Sequence, residues 1–353
     1  MIGQLVDTKI KLASEAITSI YKTNYFGRPK GDFLELSLVE AAYLVYKNKI
    51  CIKDETRQLD FNEFFTIASK LQRYFELKYI VYKDLKERGY HLQPSLADFR
   101  LYPRGGYPGK SQAKSYIFVS SERELMSLKQ LMNNLEMSSN ARKQMILAIV
   151  DEESDITYYE VKKTHLHGEE KLKKHFTSSN IISTFLEDRV IVWGQENAQY
   201  LYNHGFYGNP LDEIRIQLSL IEAAYLLEND LIQVKDRNTN EYMDYVSFKS
   251  NAESIEPEFN IKYRVYRDLR EKHMVPKTGF KFGTHFRLYR NTCSLENKLH
   301  SEYLVHAISL DHIFKLPILS RAVRLANSVR KKMLFAVEYN DSHEYIEVSR
   351  IKM

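Results

Sequence analysis

The chain carries one ordered set of motifs twice, and a chain built this way has to fold as two related halves. Near its start stands YKTNYFGRPKGDFLELSLVEAAYLVYKNKICI, beginning at Tyr21, and YNHGFYGNPLDEIRIQLSLIEAAYLLENDLIQV begins at Tyr202. Both have a Tyr-rich lead, a Gly-x-Pro turn, an alternating strand and an LSLxEAAYL helix. YIVYKDLKERGYHL from Tyr79 is matched by YRVYRDLREKHMV from Tyr263, and DFRLY ending at Tyr102 by HFRLY ending at Tyr289. ARKQMILAIVDEESDITYYEV from Ala141 is matched by VRKKMLFAVEYNDSHEYIEV from Val329. The order never changes and the spacing barely drifts, which chance similarity does not produce.

Each repeat reads as an N-terminal α/β domain followed by a C-terminal α/β domain with a central mixed sheet, so the predicted class is α/β of mixed α+β character. The expected boundaries are 1–80 and 81–162 for the first repeat, 163–180 for a linker, and 181–262 and 263–353 for the second repeat. Helices are predicted at LSLVEAAYLVY and at FNEFFTIASKLQRYFELKYIVYKDLKERG, where Phe64, Phe65, Ile67, Ala68, Leu71 and Phe75 recur at helical spacing. In the second domain, strands are predicted at FRLYP, SYIFVSS, MILAIVD and ITYYEV, and helices around Glu122–Asn134 and Ser139–Lys143. The stretch KKTHLHGEEKLKKHFTSSN is charged and lacks apolar periodicity, which suits a linker.

Composition excludes several classes. With 44% hydrophobic and 27% charged residues, the chain is an ordinary globular protein and not a disordered one. The N-terminus carries charges throughout, so no signal peptide is expected, and no run of about 18 apolar residues exists to span a membrane. Cys51 and Cys293 are too few for a disulfide framework and lack zinc-ligand spacing, as expected for a reducing cytoplasm. A net charge of +5 is compatible with a nucleic-acid partner. The 25 Tyr and 18 Phe suit both half-buried sheets and base stacking, so composition alone does not choose between these uses.

The second repeat contains YRVYRDLREKHMVPKTGFKFGTHFRLY, then HSEYLVHAI, then RAVRLANSVRKKMLFAV. This series resembles the signature of the archaeal tRNA-splicing endonucleases, and the duplication over nearly the whole chain resembles the type in which two ancestral subunits are fused. The resemblance implies a nuclease-like C-terminal domain in each repeat. It also implies that precursor tRNA is cut at bulge-helix-bulge junctions, with Tyr289 as general base, His300 as general acid and Lys331 as stabiliser of the transition state. The chemistry suits these residue types. The 2′-hydroxyl of RNA can attack its own phosphorus if a base takes its proton, an acid protonates the leaving oxygen and a cation meets the added charge. Imidazole titrates near neutrality, and an ammonium is a compact point charge. The products would be a 2′,3′-cyclic phosphate and a 5′-hydroxyl, with no metal and no small-molecule cofactor.

The resemblance further implies that Arg324 and Arg350 sandwich a bulged base by cation–π stacking, with Arg321 and Arg287 as further phosphate contacts. In the first repeat Tyr102 and Lys143 match Tyr289 and Lys331, but aligning KSYIFVSS on SEYLVHAI puts Ala113 at the place of His300. Glu136 stands opposite Arg324, so the first repeat is not expected to cleave. It keeps the acidic loop DEESD, and by resemblance Asp151, Glu152, Glu153 and Asp155 would dock into a basic pocket on a second copy. Two active sites for two cuts would then require a homodimer.

Competing readings stay open at this level. A tyrosine ending a strand is ordinarily a packing residue, and Arg330-Lys331-Lys332 is also what a solvated helix face looks like. His306 competes for the acid role from within a strand, where packing is the commoner use. A metal-dependent nuclease would need clustered carboxylates, and Glu302 stands alone near His300. A non-catalytic RNA-binding or structural subunit of the same descent is the remaining alternative.

Overall fold

The computed structural model describes residues 1–55, 57–169, 181–290, 301–339 and 342–353. The chain forms two compact units, one of Met1–Lys162, Ile313–Arg321 and Ser349–Met353, the other of Lys163–His312 and Ala322–Val348.

The first unit begins with a sheet of strands Arg28–Lys30, Phe33–Ser37, Lys9–Ala13, Ile2–Val6, Cys51–Asp54 and Arg57–Leu59, side by side in that order. Its one parallel pairing joins Ile2–Val6 to Cys51–Asp54, and the helix Leu38–Tyr46 lies between these strands in the chain. The second unit repeats the arrangement with Asn209–Pro210, Arg215–Leu218, Val190–Trp193, Ile182–Phe185, Gln233–Asp236 and Tyr242–Met243. Alternation explains the burial: in Phe33–Ser37, Leu34 and Leu36 face the core while their neighbours are half-buried.

The LSLxEAAYL motif is a capped helix in both units. The Ser37 and Ser219 hydroxyls accept the N–H of Glu40 and Glu222, whose carboxylates reach back to the serine N–H groups. These buried glutamates also accept the N–H of Gly27 at 2.8 Å and of Gly208 at 3.0 Å. Both glycines have positive φ, 74° and 68°, and a Cβ there would meet a strand carbonyl at 2.6 Å. That is why the Gly-x-Pro turn tolerates no larger residue.

The long helical stretch of the first repeat is two helices, Phe61–Leu71 and Phe75–Glu87. The chain turns at Tyr74, which has φ 56°, and at its counterpart Glu258, with φ 60°. The turn lets Phe64 and Ala68 of one helix and Phe75, Val81 and Tyr82 of the next face one core. Phe248, Ala252, Phe259, Val265 and Tyr266 do the same in the second unit. Each buried aromatic of this kind contributes about 1.5–3 kcal/mol through removal from water.

In the first unit's C-terminal domain the strands run Leu92–Pro94, Phe99–Leu101, Ser115–Ser121, Gln144–Val150 and Ile156–Lys163. A single helix, Leu128–Asn140, replaces the two predicted around Glu122–Asn134 and Ser139–Lys143. Its start is set by Ser127, whose hydroxyl accepts the Gln130 N–H at 3.2 Å, while Leu125–Ser127 is a short strand. Residues 139–143 are the end of that helix and its left-handed exit at Arg142. In the second unit the sheet runs Val275–Thr278, Phe286–Tyr289, Tyr303–Ala307, Lys332–Tyr339 and Ser342–Ile351.

Of the stretch read as a linker, residues 170–180 lie outside the described residues. The described part runs along the second unit: Thr164, Gly168 and Glu169 donate their N–H groups to the carbonyls of Tyr345, Lys272 and Arg290, each at 2.8 Å. No helix among the described residues is long and apolar enough to cross a membrane.

Candidate active site

Strand register brings the site together. Leu288 faces Tyr303 across one antiparallel pairing, and Tyr303 faces Lys332 across the next, parallel one. Tyr289 and Lys331 are each one residue beyond these partners, at the same end of the sheet. With strands about 4.8 Å apart, their backbones stand roughly 10 Å from each other, a distance that two side chains can span around one phosphate.

Each residue is positioned by local structure. Tyr289 ends its strand opposite Val275 and packs with Val275, Phe206 and Tyr202, leaving 6% of its surface exposed. The Arg287 guanidinium lies 5.8 Å from the centre of its ring. Lys331 follows the helix Leu316–Ser328 through the left-handed Arg330, with φ 56°, and its N–H closes the turn on the Ala326 carbonyl at 2.8 Å. The Lys331 ammonium donates to the Ser301 carbonyl at 2.8 Å and sits 5.8 Å from the Phe282 ring centre. Burial lowers its pKa from the ordinary lysine value, and the charges of Arg287 and Lys281 lower it further. This end of the sheet is therefore cationic and partly dehydrated, which suits it to a phosphate diester.

His300 lies outside the described residues; Ser301, next in the chain, is the residue that holds Lys331. His306 stacks on His285 with ring centres 4.2 Å apart, and burial lowers its pKa. Arg324 is exposed on its helix in the second unit, whereas Arg321 and Arg350, also exposed, belong to segments that cluster with the first unit. Among the described residues no group of three or more His, Cys, Asp or Glu could hold a metal ion.

In the first repeat the counterparts are fixed by hydrogen bonds. Lys114 donates to the Leu101 carbonyl and accepts from Gln144, as Glu302 donates to Leu288 and accepts from Lys332. Lys114 therefore corresponds to Glu302, and Ala113 to Ser301. His300 lies outside the described residues, but chain order one residue further back matches it with Gln112, one residue earlier than the aligned Ala113. The gapless alignment slipped because KSYIFVSS and SEYLVHAI match equally well in either register by hydrophobicity. Lys143 keeps its correspondence, closing on the Ser138 carbonyl as Lys331 closes on Ala326.

In the acidic loop, the Asp151 carboxylate accepts the N–H of Glu153 at 3.0 Å and of Asp155 at 2.9 Å. Glu152 pairs with Arg123 at 2.5 Å, and Glu153 and Asp155 face solvent. Two cations that motif reading passed over also belong to this domain. Lys281, inside GFKFG, contributes to the field on Lys331. Lys277 is buried one strand away from Arg287, and nothing in the sequence marks it.

Comparison with known proteins shows the family of the chain. Residues 75–158 and 259–347 match the tRNA intron endonuclease catalytic C-terminal domain, and residues 1–65 and 181–248 match the tRNA intron endonuclease N-terminal domain. A tRNA-splicing endonuclease from Methanococcoides burtonii is 52% identical over 353 residues, covering all of both chains. One from Methanosarcina mazei is 52% identical over 99% of this chain and 98% of its own. One from Halobacterium salinarum is 33% identical over 99% of each. The chain therefore belongs to the tRNA-splicing endonuclease family, as a two-repeat member.

Proposed function

We propose that this protein excises introns from precursor tRNA in the cytoplasm, cutting at bulge-helix-bulge junctions by attack of the 2′-hydroxyl on the adjacent phosphorus. Tyr289 takes the 2′ proton, His300 protonates the 5′ leaving oxygen and Lys331 meets the charge on the pentavalent phosphorus. The observation that carries this reading is the alignment of Tyr289, Glu302 and Lys331 on neighbouring strand ends, with the Lys331 ammonium fastened to the residue after His300. Arg287 is the proposed phosphate contact, a reading supported by its guanidinium lying beside the Tyr289 ring. Arg324, Arg350 and Arg321 are the proposed further contacts to RNA.

An intron-containing precursor tRNA incubated with the protein in excess EDTA tests the reaction. The expected products end in a 2′,3′-cyclic phosphate and a 5′-hydroxyl. A 3′-hydroxyl end, or loss of cleavage on chelation, would overturn the mechanism.

The working form is proposed to be a homodimer docked through the acidic loop. Its support is that Asp151 pre-forms the turn while Glu153 and Asp155 point their charges outward. Glu153→Gln with Asp155→Asn is expected to shift sedimentation from dimer toward monomer, most strongly at low salt. An unchanged sedimentation profile would remove the loop from the interface.

A further inference from the structure

One position differs between the repeats in a way that changes what the tyrosine hydroxyl can do. Gln93 faces Arg100 across its strand pair, and Lys277 faces Arg287 at the corresponding place. In the first repeat the Tyr102 hydroxyl donates to the Gln93 side-chain oxygen at 3.0 Å. A phenol whose proton is held by a neutral acceptor gives it up less readily. Burial pushes the Tyr102 phenol up as well.

In the second repeat Lys277 turns the other way. Its ammonium donates to the Phe206 carbonyl at 2.9 Å, the Gly208 carbonyl at 2.6 Å and the Glu222 carboxylate at 3.0 Å. An ammonium has three protons, and these contacts use all of them. The Tyr289 hydroxyl engages no partner among the described residues, while Phe206, whose carbonyl Lys277 holds, packs against Tyr289. Arg270 fastens the same segment by donating to the Gly205 carbonyl at 2.7 Å from full burial.

We infer that Lys277 is a positioning residue that keeps its own side chain off the Tyr289 hydroxyl and the tyrosine ring seated, by committing its ammonium to Glu222 and to the backbone of residues 206–208. Glutamine at this place would capture the hydroxyl as Gln93 captures that of Tyr102. The Lys-or-Gln choice then separates a tyrosine free to act from one held idle. This rests on the general-base role proposed above for Tyr289.

The test is single-turnover cleavage of precursor tRNA as a function of pH. When the base has a higher pKa than the acid, the rate is level between the two values. Raising the base's value lowers that plateau and moves the alkaline limb upward. Lys277→Gln is combined with Glu222→Gln, so that no buried charge is stranded. This pair is expected to lower the plateau about tenfold, the equivalent of about 1.4 kcal/mol, to move the alkaline limb upward and to leave RNA affinity unchanged. Lys277→Met with Glu222→Leu removes the same charges without offering an acceptor, and its alkaline limb is expected to stay in place. Identical profiles for the two double variants, or an unmoved limb in the glutamine pair, would overturn the inference. Tyr289→Phe separates the two failures. If it cleaves normally, the general-base reading falls and this inference with it; if it is inactive while the glutamine pair keeps its profile, only this inference falls.

Discussion

His300→Ala is expected to slow cleavage of precursor tRNA by about 10²–10⁴-fold, the usual contribution of a positioned general acid, with RNA affinity unchanged. The leaving 5′ oxygen departs as an alkoxide unless a proton reaches it during bond breaking. His306 is stacked on His285, and burial lowers its pKa, which disfavours the protonated form an acid needs. The first repeat offers a built-in comparison: it retains Tyr102 and Lys143 but has Gln112 where His300 stands. An amide cannot donate and regain a proton at neutral pH, so that repeat lacks the acid. Single-turnover rates alongside a gel-shift affinity would check this. A variant that keeps more than a tenth of the wild-type rate would remove His300 from the mechanism.

Glu222→Gln is expected to destabilise the second unit by about 3–5 kcal/mol, because it leaves the Lys277 ammonium buried without its counter-charge. Glu40→Gln at the corresponding place should cost only about 1–3 kcal/mol. Both carboxylates accept the same serine and glycine N–H groups, but Glu222 also hydrogen-bonds the Lys277 ammonium at 3.0 Å, whereas Glu40 acts on Lys86 only through its charge. Burial pushes the Glu222 carboxyl up, but Lys277 and the Ser219 and Gly208 amides outweigh it and hold it below its ordinary range. A depressed carboxyl stabilises the fold above the unfolded pKa of about 4.3. That contribution is lost as pH falls through the folded value. Urea unfolding of the two variants checks the contrast, and Glu222→Gln should also flatten the acid side of the stability profile. Equal losses would mean that Lys277 carries no charge in the folded protein.

Much of this was legible in the sequence because it depends on neighbours in the chain. Helical spacing, the Ser-x-x-Glu caps and the Gly-x-Pro turns are local patterns, and they produced the expected elements in both repeats. The break at Tyr74 was not legible, since an aromatic residue in a left-handed turn leaves no mark on the apolar periodicity. The helix predicted from Glu122 was misplaced for a related reason: charged residues favour helix there, but the Ser127 cap and the short strand before it decide the start.

The sequence by itself determined the duplication, the mixed α/β class and the family, and it nominated Tyr289, His300 and Lys331, because motif order survives without knowledge of contacts. Tertiary structure alone decided which residue occupies each place across the sheet. Hydrogen bonds between strands far apart in the chain set the register, and a shift of one residue moved the counterpart of His300 from Ala113 to Gln112. Only packing turned Lys277, one lysine among many basic residues, into the buried tie that holds Phe206 against Tyr289. A side chain's partners are chosen by what the fold brings within about 3 Å of it.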